Sequence, residues 1–204
     1  MATTPADEHL QRWTRTERAV HWVHATAFLV LLGSGLCLYL PSLAETVGRR
    51  PLLKHIHLYT ATAWAVALVL IFVLGDRRSL IRTVREVDDL GERTRMNIGQ
   101  KLNVIVVAAF AILFALSGFD LWYGERDTRF RIANALLVHD WLMYLSLVVF
   151  LGHLYFALIL PATRHSLSGM TRGWVRRDWA EKEHPEWVAE LDRDRAPRRS
   201  RSPG

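Results

Sequence analysis

The run LLVHDWLMYLSLVVFLGHLYFALIL, Leu136–Leu160, is apolar over a length that spans a bilayer, yet it carries two histidines, His139 and His153. At ~1.5 Å rise and ~3.6 residues per turn, their fourteen-residue spacing is just under four turns, so both rings leave one helix face about 21 Å apart. Ionisable side chains inside a span are rare and usually face the bundle interior on a functional path. Neutral imidazole is a standard axial ligand for haem iron. The expectation is a helix shared by two haems.

Three further apolar blocks, Trp22–Leu40, Leu58–Leu74 and Leu102–Phe119, approach or reach spanning length. The 204 residues are 50% hydrophobic, and this content is concentrated in the four blocks. The fold class follows: an all-α membrane protein, a four-transmembrane-helix bundle forming one domain over residues 1–165. Residues 166–191 read as an extension with an amphipathic or surface-lying stretch at Arg172–Leu191, and residues 192–204 as a tail without regular structure, like Met1–Glu8. No cleavable signal peptide is expected, because the first apolar block follows Arg12, Arg15 and Arg18 and leads into Pro41 without a small-residue cleavage site. Cys37 is the only cysteine, which excludes an internal disulfide and argues against a cluster held by this chain alone. Without a Cys-x-x-Cys-His run, any haem is expected to be non-covalent and b-type.

Twenty of the 26 Lys and Arg residues fall before the first block, between Arg77 and Lys101, or after Pro161. The other six are Arg49, Arg50, Lys54, Arg126, Arg129 and Arg131. Cytoplasmic flanks carry the basic excess, so both termini are expected inside a prokaryotic inner membrane. The net charge of +6 fits attraction to anionic lipids and requires no nucleic-acid partner.

With this topology His55, His57 and His139 lie toward the outer side and His21, His24 and His153 toward the inner side. An outer haem site would draw on the second and fourth spans, an inner one on the first and fourth. Rings three apart, His21 and His24, can both lean toward one site; rings two apart, His55 and His57, point to different faces. Depth from the charged flank mildly favours His24, although helix tilt can absorb the difference.

The chain resembles the membrane cytochrome b (gamma) subunits of respiratory formate dehydrogenases. The resemblance rests on ERAVHW at Glu17–Trp22, HLYTA opening the second span, NIGQK at Asn97–Lys101, the His139/His153 spacing, and SLSGMTRGWVRRDWAEKEHPEW at Ser166–Trp187. It implies two haem b groups, the inner held by His21 and His153 and the outer by His57 and His139. It also implies a quinone site, menaquinone in kind, at Asn97, Gly99, Gln100 and Lys101, where this chain has Ile98 in place of the family's usual alanine. The implied partners are an iron–sulfur beta subunit and a molybdopterin or tungstopterin catalytic alpha subunit, this chain not oxidising formate by itself.

Arg18, Arg164 and His165 are expected at the inner interface, near haem propionates or the quinone, or as ordinary interfacial anchors. Asn97 and Gln100 also suit a helix cap. Gly33, Gly35 and Gly118, with Ser34 and Ser117, suit close helix packing or room for a porphyrin. Two other functions keep the same architecture: the cytochrome b subunit of a membrane-bound hydrogenase or other molybdoenzyme, and a haem-free membrane anchor.

Overall fold

A computed structural model of the chain describes residues 8–90 and 94–195. Four helices are long and apolar enough to cross a membrane: Arg15–Tyr39, Arg50–Leu74, Ile98–Gly124 and Ala135–Ile159. We label the first α1 (Arg15–Tyr39); α2 (Pro41–Val47) leads into α3 (Arg50–Leu74), and α4 (Arg77–Asp88) precedes α5 (Ile98–Gly124). The fourth span is α6 (Ala135–Leu154), continued by a π-helical turn at Tyr155–Ile159. The four-span expectation is met, with helices that begin before their apolar blocks; at the first and third spans capping residues, not hydropathy, set the start. Thr14 and Glu17 form a capping box at α1, Asp76 caps α4, and Asn97 with Gln100 forms a second box at α5.

The spans assemble as two hairpins, α1 against α3 and α5 against α6. Large apolar side chains such as Val69, Leu116 and Val148 face outward, 61%, 64% and 69% exposed, which suits a lipid solvent. The polar residues buried in the spans include Ser34, Ser117, Asp120 and Ser146. After His153 the fourth span widens: Leu160 N–H donates to Tyr155 O, five residues back, and Pro161 opens the short α7 (Pro161–Arg164). Such π turns are uncommon and recur near functional positions.

Both ends of the chain meet in a small cap. The strand β1 (His9–Gln11) pairs antiparallel with β2 (Trp174–Arg176), with Leu10 opposite Val175. Between the fourth span and β2 lies α8 (Ser166–Arg172), closed by Gly173 at φ +96°, a left-handed position that glycine adopts without Cβ strain. Beyond β2, α9 (Arg177–Glu183) and α10 (Pro185–Arg195) complete a core of Leu10, Val175, Ala180, Trp187 and Val188. Residues 172–191 therefore fold back on the N-terminal strand and do not simply lie along a surface. The missing partner was three residues of β1, too short to announce itself. Glu8, read as loose, accepts from Arg177 at 2.9 Å and from Arg195. Residues 192–195 continue α10; residues 1–7 and 196–204, the remaining segments expected to lack structure, lie outside the described residues.

Arg95 ties this cap to the bundle. Its guanidinium donates to Glu17 at 2.6 Å, to Glu86 at 2.7 Å and to Arg12 O at 2.9 Å, and stacks over Trp13 at 4.4 Å. Arg95 and Glu17 are both almost fully buried, so each depends on the other for compensation. Breaking a buried pair from one side leaves an unpaired charge and typically costs ~3–5 kcal/mol. R95A is expected to lose stability on that scale, read by thermal unfolding in detergent, with R95A/E17Q recovering part of it. A loss below about 1 kcal/mol, as for an exposed pair, would contradict this role.

Candidate functional site

Two histidine pairs face each other between the hairpins. His21 of α1 and His153 of α6 have ring centres 6.2 Å apart; His57 of α3 and His139 of α6 have ring centres 6.3 Å apart. The fourth span thus contributes one ring to each pair, as its spacing requires. The neighbours of these rings turn elsewhere. His24 stands against Trp64 at 5.7 Å, and His55 is exposed and stacked on Tyr59 at 5.8 Å.

At the pair nearer the interhelix loops, Ser34 Oγ lies 2.9 Å from His57 Nδ1 and Ser117 Oγ lies 2.8 Å from His139 Nδ1. Each serine is followed by a glycine whose built Cβ would touch the same ring, Gly35 at 3.5 Å from His57 Cε1 and Gly118 at 3.4 Å from His139 Cε1. The two sides are near replicas on different hairpins. Gly33, by contrast, has nothing within 4 Å of such a Cβ. At the pair nearer the termini, His21 Nδ1 is buried with no hydrogen-bond partner among the described residues.

These residues suit b-type haem. Two imidazoles on opposite sides of one metal, each at about 2 Å, have ring centres roughly 6 Å apart. Both pairs have that separation. Buried imidazoles inside apolar helices are otherwise costly to leave without a partner.

The NIGQK stretch sits at the start of α5 on the terminal side. Asn97 Oδ1 accepts from Gln100 N–H at 2.9 Å, and Gln100 Oε1 accepts from Asn97 N–H at 3.1 Å and from Arg12 Nη2 at 3.0 Å. Both amide oxygens are therefore used in capping, while the amide NH₂ groups are donors available to an outside acceptor. Gly99 is exposed on the first turn, and Lys101 is fully buried with its ammonium donating to Asp89 O. Behind this turn, Arg12 is 1% exposed and donates to Arg95 O at 2.6 Å and to His184 Nε2 at 3.1 Å. Burial, then the neighbouring Arg95 charge, pulls Arg12 down to about 9.

Arg18, Arg164 and His165 do not line one cavity. Arg18 donates to Thr171 O at 2.7 Å and lines a cavity of about 320 Å³ with Arg15, Arg172, Trp13 and Trp174. His165 lines a separate cavity of about 230 Å³ with Arg176, Asp178, Trp179 and Lys182. Arg164 is exposed on α7. Shared interfacial charge grouped them in the sequence; the fold of the cap separates them. Sequence reasoning also missed the ring contacts of Ser34 and Ser117, whose only signal was a serine–glycine pair inside an apolar span.

A family model described as prokaryotic cytochrome b561 matches residues 12–173, and the chain belongs to that family. The family implies haem b. The chain is 28% identical over 197 residues to the formate dehydrogenase cytochrome b556(fdo) subunit of Escherichia coli K12, covering 88% of this chain and 92% of the relative. It is 24% identical over 206 residues to the nitrate-inducible formate dehydrogenase cytochrome b556(Fdn) subunit of the same organism, covering 90% and 92%. The formate dehydrogenase cytochrome b556 subunit of Haemophilus influenzae is 23% identical over 203 residues, covering 90% and 84%.

His184 adds a pH dependence to the cap. Its Nδ1–H donates to Thr94 O at 3.2 Å, leaving Nε2 to accept from Arg12. Burial first, then the charge of Arg12, pushes its pKa down to about 4. The folded cap holds it neutral while the unfolded chain takes up a proton near pH 6.5, so stability is present above that pH and is lost as pH falls toward 4. The protection factors of amides across residues 175–195, corrected for intrinsic exchange at each pH, should fall over that window by up to about 3 kcal/mol. H184Q should flatten the profile; an unchanged slope in H184Q would contradict the assignment.

Proposed function

We propose that this chain is the di-haem b-type cytochrome subunit of a respiratory formate dehydrogenase, carrying electrons from an iron–sulfur subunit across the membrane to a quinone, menaquinone by the resemblance. The observation that carries this reading is the pair of facing imidazoles at two depths, with ring centres 6.2 and 6.3 Å apart, room for each pair to hold one iron between its rings. The names of the relatives, all cytochrome subunits of formate dehydrogenases, support the donor. In this reading His57 and His139 hold the outer haem, and His21 and His153 the inner one. When bound, the haems would supply one-electron carriers at two heights in the bilayer.

The charge distribution supports an orientation with both termini in the cytoplasm, since the terminal side carries twenty of the 26 basic residues. The loop-side pair then lies near the outer face, where the iron–sulfur subunit docks. The terminal-side pair lies near the inner face with Asn97, Gly99, Gln100 and Lys101. There the amide NH₂ groups of Asn97 and Gln100, without an acceptor among the described residues, are donors for a quinone carbonyl, and Gly99 allows close approach. Arg12 holds Gln100 in place. Protons for the quinol come from the cytoplasmic side. Inward movement of electrons with proton uptake inside is electrogenic, worth ~2.3 kcal/mol per charge per 100 mV. Arg18 lies one turn before His21 and suits a nearby propionate, while formate oxidation belongs to a pterin-bearing catalytic subunit.

A pyridine haemochrome assay on the purified chain is expected to give two b-type haems per polypeptide. H21A and H153A should each lose the inner haem alone, and H24A and H55A should retain both. Full retention in H153A, or loss in H24A, would overturn the ligand assignment. Affinity capture of the chain from its native membrane should bring down iron–sulfur and molybdopterin or tungstopterin subunits. Nickel in the captured complex would instead assign it to a hydrogenase, with every histidine role unchanged.

A further inference from the structure

The two histidine pairs differ in what holds their rings. Ser34 Oγ approaches two carbonyls of its own helix, Val30 O at 2.8 Å and Leu31 O at 3.2 Å; Ser117 Oγ approaches Leu113 O at 2.7 Å and Phe114 O at 3.4 Å. A hydroxyl has one hydrogen. Directed to the carbonyl four residues back, it leaves only lone pairs for the ring, so His57 and His139 must donate Nδ1–H to the serines. The opposite arrangement would set the hydroxyl lone pairs against a carbonyl oxygen at 2.7–2.8 Å. Both rings are thereby fixed with Nε2 unprotonated. Ser34 and Ser117 are themselves only 7% and 8% exposed, so water does not compete freely for these bonds.

The terminal-side pair lacks this device. His21 Nδ1 is buried without a partner, and no side-chain hydrogen bond is recorded for His153 among the described residues. Accepting the distal N–H of a ligating histidine raises its basicity, orients the ring, and stabilises the more positive metal state.

We propose that Ser34 and Ser117 are positioning residues that lock His57 and His139 with Nε2 toward the metal and hold the loop-side haem at a lower potential than the terminal-side haem. This rests on the two-haem reading above and deepens it. The sequence of potentials makes electron transfer from the loop side to the terminal side downhill. The electronic bias is set through the ligating rings by two serines on different hairpins.

The test is a spectroelectrochemical titration of the full chain in detergent, following both haems optically. Wild type, S34A, S117A, S34T and S117T are compared, with H139A used to assign the loop-side signal. Each alanine variant should raise the reduced-to-oxidised ratio of the loop-side haem several-fold at fixed ambient potential, a tenfold change being about 59 mV for one electron. The terminal-side haem should not move. Threonine retains the hydroxyl and its carbonyl bond, so S34T and S117T should restore the wild-type ratio. Ferric g-values of the loop-side haem should shift in the alanine variants and return in the threonine variants. Two haems with unmoved potentials and g-values in both alanine variants would overturn the serine assignment while leaving the two-haem reading intact. A wild-type chain without two haems would overturn both.

Discussion

Residues fourteen apart on one α-helix return to nearly the same face, and the rest of the molecule answers to that geometry. The fourth span places His139 and His153 toward the interior at two depths, and a buried imidazole needs something to meet. The first hairpin supplies it. His21 near the start of α1 and His57 in α3 are set at opposite ends of their hairpin, each facing the ring at its own depth. Two hairpins packed tightly within themselves and joined across facing rings make a frame with the shape to hold the haems proposed above between its helices. A helix pair meshed along its full length would close that space.

The polar cap on the terminal side serves the same frame from below. Arg95, Glu17, Glu86 and Arg12 connect the N-terminal strand, the start of α1, the end of α4 and the turn before α5 in one buried network. The Arg12 and His184 contacts extend it to the C-terminal helices, and Gln100 joins the α5 cap to it. The residues proposed to meet the quinone are therefore fixed by charge pairing outside the membrane. Helix packing within the bilayer does not have to position them. Buried charge of this kind is expensive to assemble and more expensive to leave incomplete, so it specifies one arrangement of the terminal side.

The long apolar blocks and the His139/His153 spacing were legible in the sequence because helix periodicity and bilayer thickness are local properties of a chain. The choice between His21 and His24 was not, since both positions lean toward the same side. Trp64, on another helix, takes the space beside His24, and only the assembled hairpin shows it. The family resemblance pointed to His21 where depth favoured His24, and in the structure it is the His21 ring that faces His153, at 6.2 Å between ring centres. The sequence offers Ser34 and Ser117 as packing residues or as room for a porphyrin and not as ring partners, because the rings lie 23 and 22 positions away. The cap was underestimated for a similar reason: Leu10 finds Val175 across the whole bundle, and composition alone marks residues 172–191 as a charged surface stretch. Arg18, Arg164 and His165 share a flank but not a cavity, a distinction that charge counting does not contain.

Magnetic circular dichroism of the oxidised chain in the near infrared, recorded with electron paramagnetic resonance on the same sample, tests the central claim most directly. The two facing pairs predict two low-spin ferric haems, both with charge-transfer bands of bis-imidazole ligation. A single haem, or a haem with one non-histidine axial ligand or a high-spin iron, would contradict the assignment of both histidine pairs as ligand sets.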